Sequence, residues 1–201
     1  MAGETVKTDA VCLGIRPWSR TSHVTSWLTP AGRVVTVVKG AERPKSPFLG
    51  QYDLNYTCEL VYYARSRGEV HMIRECAPIE RRDYLRRDYR ALVLAEYFRF
   101  VTAALAPSGP ESEAWYELLV RSLDGLRQVG IGGYRKALFF FDRSALTLAG
   151  VWPGDEKFSN FPLDAEAEII VLYTDCLDLV ADTRRLVSQL IFQPEQGKKQ
   201  K

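Results

Sequence analysis

The residues whose type and spacing point to chemistry are lysines and arginines on short glycine- and proline-rich connections. Lys39, Arg43 and Lys45 fall in one stretch, "KGAERPKS" (Lys39–Ser46), against a single carboxylate, Glu42. Gly40 and Pro44 lie among them, and glycine lets a backbone come close to a ligand. Upstream, Arg16 and Arg20 flank Trp18 in "RPWSR", and Arg65 and Arg67 share a later turn. Cations hold phosphates by charge, and an indole offers a face on which a nucleobase stacks. The chemistry is binding of a polyanion, with no bond made or broken. Taken singly, each cation reads better as a solvated loop residue. Grouped around Gly40 and Pro44, Lys39 to Lys45 read equally well as a binding element.

Patterns for other chemistry are missing from the sequence. The two histidines, His23 and His71, fall inside predicted strands, and no Gly-x-Ser-x-Gly elbow occurs. "VGIGGYRK" (Val129–Lys136) lacks the spacing of a phosphate loop and follows a predicted helix, so it reads as a helix–helix connection. Carboxylates are scattered, so neither an enzyme nor a cofactor is expected. Cys12, Cys58, Cys76 and Cys176 form no Cys-x-x-Cys pair, which predicts buried reduced thiols and no zinc. No apolar run approaches the roughly 20 residues of a membrane helix, and the first residues lack the apolar core of a signal peptide. A cytoplasmic protein with no membrane partner is expected.

Net charge is +2, unevenly placed: residues 1–90 hold 15 Lys+Arg against 10 Asp+Glu, and residues 91–201 hold 12 against 15. A basic first part suits a polyanion. "ERRDYLRRDYR" (Glu80–Arg90) carries five arginines. Arg82, Arg86 and Arg90 are four apart and predict a helix face of solvated charges, or an extension of the basic surface.

The elements that must position these groups follow from period and turn signals. Five strands are predicted: Val6–Ile15, Ser22–Thr29, Arg33–Lys39, Leu54–Ala64 and Glu69–Glu75. Thr29-Pro30-Ala31-Gly32 marks a hairpin, and the strands should end near Pro17 and Pro78. Short strands at this spacing predict a small closed sheet, with the five-stranded OB-fold barrel favoured over an SH3-like one. Near residue 80 the period becomes helical. Helices are predicted over Arg81–Ala106, Glu111–Val129, Tyr134–Ala149 and from Asp164 to about Phe192, the last broken near Asp182-Thr183. "KALFFFDRSALTLAGVW" (Lys136–Trp152) reads mainly as core, with a peptide-holding groove as the alternative. The expectation is an α+β chain: an OB-fold domain over residues 1–79, an all-α domain over 80–193 and a disordered tail over 194–201.

Several of these stretches resemble the RecO family of bacterial DNA repair and recombination mediators. They are Ser22 with Ser26-Trp27-Leu28-Thr29 and Gly32, then Val37 to Ser46, then Phe141, Leu146, Leu148-Ala149-Gly150 and Pro153. The most specific is Lys39–Ser46. The resemblance implies an OB-fold followed by helices, binding of single- and double-stranded DNA, and annealing of complementary strands. It implies RecR and single-stranded-DNA-binding protein as partners, RecA as an indirect one, a location at the nucleoid, and no nucleotide hydrolysis. It places Lys39 and Arg43 in a DNA-binding element, with Lys45 beside them. Many relatives carry a four-cysteine zinc module after the Gly150–Pro153 equivalent. Here "GDEKFSNF" follows with no cysteine. A protein-interaction module of the same fold, or an RNA-binding OB protein, are the other readings.

Overall fold

The computed structural model describes residues 4–65, 69–154 and 165–192. Five strands come first: β1 (Glu4–Ser19), β2 (Ser22–Thr29), β3 (Gly32–Val38), β4 (Thr57–Ala64) and β5 (Val70–Glu80). They close into a barrel in the order β1-β2-β3-β5-β4. Each pair is antiparallel except β3 with β5. Five helices follow: α1 (Tyr89–Leu105), α2 (Ser112–Gly125), α3 (Tyr134–Leu148), α4 (Ala165–Cys176) and α5 (Asp178–Phe192). The chain is therefore α+β, an OB-like barrel ahead of helices, as its sequence predicts. The tail over 194–201 lies outside the described residues.

Two strands run through the prolines expected to end them, Pro17 and Pro78. Beyond Val11, β1 has left β4 and pairs with β2 alone. Beyond Met72, β5 has left β3 and pairs with β4 alone. Each proline sits on a strand with one open edge, where a missing N–H can face away from the ladder.

Alternation along the strands fills the barrel with Ala10, Cys12, Trp27, Val34, Val38, Cys58, Leu60 and Ile73. Trp27 brings one polar atom into this interior. Its Nε1–H donates to the hydroxyls of Thr25 (2.9 Å) and Thr36 (3.0 Å), which themselves meet at 2.7 Å. A buried donor with partners avoids the penalty of an unmade hydrogen bond. Cys12, Cys58 and Cys76 are buried free thiols, as expected. A hydrogen bond with Cys76 and burial push the Cys58 thiol up, so it stays protonated.

The connection from β3 to β4 has no regular element, yet it is packed. Ala41, Phe48, Tyr52, Leu54 and Tyr56 lie against the barrel core. The thiols of Cys58 and Cys76 both reach the Gln51 carbonyl, at 3.6 and 3.9 Å. The outer surface of this cap carries Lys39, Arg43 and Lys45.

The compact unit that holds the barrel also contains Leu105–Asp124. Gly32, at φ +135°, shows how close that segment comes: a β-carbon there would stand 2.6 Å from the Ser108 carbonyl oxygen. Arg33 donates from Nη2 to the Ala106 carbonyl (2.6 Å). Arg82 is the larger tie. It is 2% exposed. Its Nε donates to Asp124 (2.8 Å), and its Nη1 donates to the Asn55 carbonyl (2.6 Å) and the Thr57 hydroxyl (2.9 Å). The solvated arginine face predicted for Arg82, Arg86 and Arg90 does not form. A 3-10 turn at Asp83–Arg87 replaces the start of the helix, and Arg82 turns inward at φ +54°. Arg82→Met should cost about 2 kcal/mol, because it leaves the Asn55 carbonyl buried without its donor while Asp124 stays half-exposed. Urea unfolding checks this: a lower midpoint with an unchanged slope is expected.

The second unit comprises Tyr84–Ala104 and the chain from Gly125 onward. Phe98 stacks on Phe141 (4.2 Å between centroids) and Tyr97 meets Phe141 edge-on (6.0 Å). Inside this apolar core Asp142 is 0% exposed and Arg184 3%. Arg184 Nε donates to Asp142 Oδ2 (2.6 Å), and the hydroxyls of Tyr97 (2.7 Å) and Tyr173 (3.0 Å) donate to Oδ1. The last helical segment breaks at Leu177, five residues before the expected Asp182-Thr183. Thr183 back-bonds to the Leu179 carbonyl (2.8 Å) and Asp182 pairs with Arg185, so neither competes with the helix there. Asp178 instead opens α5, where a carboxylate suits the helix dipole.

Candidate nucleic-acid interface

The predicted binding residues come from three connections of the barrel. The first is the β1–β2 hairpin. Its register shifts between Pro17 and Ser19, so Trp18 is the extra residue of a bulge. A bulge re-aims the side chain it carries. Trp18 is 68% exposed, and Arg16 and Arg20 on either side of it are exposed too. A large indole in water is a stacking surface without a partner in its own fold.

The second connection is the Lys39–Ser46 loop. It leaves β3 through Gly40, at φ +64°, where the aliphatic part of Arg43 packs 3.1 Å from the position of an added β-carbon. Successive tight turns follow, with Arg43 N–H to the Gly40 carbonyl (3.1 Å) and Ser46 N–H to the Arg43 carbonyl (2.8 Å). Lys39, Arg43 and Lys45 are exposed. The fold brings this loop to the hairpin. Glu42 N–H donates to the Thr21 carbonyl (3.2 Å), Gly40 N–H donates to the Ser22 hydroxyl (3.2 Å), and His23 bonds Glu42 (2.9 Å). Among the described residues, none of Arg16, Arg20, Lys39, Arg43 or Lys45 has an ion-pair partner. Their charge is therefore available to an external anion.

The third connection, between β4 and β5, stands apart. Arg65 N–H donates to His71 Nδ1 (3.1 Å), and His71 pairs with Thr36. Thr36 is about 10 Å from Lys39 along β3 at the usual rise per residue. Burial and the Arg65 charge hold the His71 imidazole below its ordinary value, which leaves Nδ1 free to accept that amide. Arg67 lies outside the described residues. Reasoning from sequence missed His23 and Tyr52, which fasten the loop. Nothing in the spacing of residues 23, 42 and 52 signals that they meet.

A closed five-strand barrel with a parallel β3–β5 pair, followed by helices, defines a protein of the OB-like class, here with a basic end and an exposed indole. Within that class the chain is similar to the RecO family. It is 29% identical over 122 residues to the DNA repair protein RecO of Leptospira biflexa serovar Patoc, a match over 60% of this chain and 48% of the relative. To the DNA repair protein RecO of Rhodopirellula baltica it is 27% identical over 159 residues, 78% of this chain and 58% of the relative. The chain thus spans about half the length of the curated relatives it matches. No family model matches it.

Proposed function

We propose that this chain is a DNA-binding recombination mediator of the RecO type. It binds single- and double-stranded DNA, anneals complementary strands and, with RecR, assists loading of RecA onto strands covered by single-stranded-DNA-binding protein. The observation that carries this reading is the junction of two loops. Arg16, Trp18 and Arg20 stand beside Lys39, Arg43 and Lys45, whose cations have no ion partner among the described residues, in a chain similar to proteins named for DNA repair. Arg65, on the separate β4–β5 connection, and Arg67, from its place in the sequence, are proposed as further DNA contacts. The work is done at the nucleoid by positioning strands, with no step that breaks a covalent bond.

Cations that contact phosphates displace counterions, so binding must weaken with salt. A salt titration on labelled single- and double-stranded DNA should give straight log–log plots. Each contact contributes about 0.7 to the slope on single strands and about 0.9 on duplex. Absence of binding at low salt, with RecR or single-stranded-DNA-binding protein still recovered in a pull-down, would favour the interaction module instead. Stronger binding to RNA than to DNA of equal length would favour an RNA-binding protein.

A further inference from the structure

We propose that His23 is a positioning residue: through Glu42 and Tyr52 it holds the Lys39–Ser46 loop against the β1–β2 hairpin, so that the two basic connections form one surface. This rests on the reading of the loop as a polyanion-binding element.

His23 lies on β2 opposite Val38, the last residue of β3. From there its ring reaches both ends of the β3–β4 connection. Nε2 is 2.9 Å from Glu42 Oε1, and Nδ1 is 2.8 Å from the Tyr52 hydroxyl. The Glu42 carboxylate only accepts, so Nε2 carries the proton; in the neutral imidazole Nδ1 then accepts from the Tyr52 hydroxyl, which burial keeps protonated. Tyr52 also packs edge-on against Trp27 (6.0 Å) and His23 (6.1 Å). The loop is thereby tied to an indole fixed in the barrel interior. Without this clasp, its bonds to the hairpin are two amide contacts of 3.2 Å each.

The clasp has an electrostatic consequence. Glu42 is the one carboxylate of Lys39–Ser46. Engaged by His23, it is held at the base of the loop. Released, it is free to pair with Lys39, Arg43 or Lys45 and to offset a charge the surface needs.

Trypsin reads the clasp without DNA. It cuts after Lys39 and Lys45, whereas the bond after Arg43 precedes proline and resists. His23→Ala and Glu42→Ala should each speed cleavage after Lys39 and Lys45 about tenfold, as expected for a lost hydrogen bond to a charged group. His23→Gln keeps a donor for Glu42 and should restore resistance. His23→Ala should also weaken binding to an oligothymidylate of about 20 nucleotides severalfold, with His23→Gln restoring it. Unchanged cleavage in both alanine variants overturns the positioning role. So does a His23→Gln variant as labile as His23→Ala. Faster cleavage with unchanged oligothymidylate binding leaves His23's hold on the loop standing and overturns the polyanion assignment beneath it.

Discussion

With Lys39, Arg43 and Lys45 all replaced by alanine, binding to single-stranded DNA is expected to fall about a hundredfold at low salt. Three contacts at about 1 kcal/mol each make a little over two decades. The log–log salt slope should flatten by about 2, since each phosphate contact on a single strand contributes about 0.7. The two numbers together separate mechanisms. Damage to the fold would weaken binding through fewer competent molecules and leave the slope alone. Loss of phosphate contacts must change both. The substitutions should leave stability within about 0.5 kcal/mol, because all three side chains are exposed and lack ion partners among the described residues. An unchanged slope would remove this loop from the interface. Annealing of complementary strands should slow in parallel, because the same contacts hold each strand.

The largest loss of stability is expected from Asp142→Asn in the helical unit. The carboxylate is fully buried and accepts from Arg184, Tyr97 and Tyr173. Burial works against its charged form, and the guanidinium at 2.6 Å is what holds it there. The amide keeps the shape but removes the charge, and Arg184 stays 3% exposed among apolar helices. An uncompensated buried cation costs about 3–5 kcal/mol. For a chain of this size that lowers the melting temperature by roughly 10 °C. Glu166, 3.4 Å from Arg184, is a longer contact than Asp142 at 2.6 Å and offsets only part of the loss. Asp142→Asn with Arg184→Met should be less destabilised than Asp142→Asn alone, because the stranded charge is gone. A melting temperature within about 2 °C of the parent in the single variant would show that Arg184 does not depend on this carboxylate.

The clasp and the buried pair show why part of this molecule was legible in its sequence and part was not. Strand alternation, the Pro30-Ala31 hairpin and the switch to helical period near residue 80 are local signals. They suffice for an OB-like barrel ahead of helices, because burial of one face dictates the period of each element. The Lys39–Ser46 loop was legible for the same reason: glycine and proline act on their own backbone, and charge density is a property of neighbours in sequence. What escaped are interactions between residues far apart along the chain. Strand ends at Pro17 and Pro78 depended on which neighbour had already left the ladder. Arg82 reads as a surface charge until the Asn55 carbonyl, Thr57 and Asp124 surround it. His23 reads as a strand residue until Glu42 and Tyr52 arrive on either side of its ring. The sequence by itself determined the elements and the cations they carry. Only the tertiary structure decided which cations stay free on one surface and which are buried as ties, because a charge gains its role from the partners that folding brings within hydrogen-bond reach.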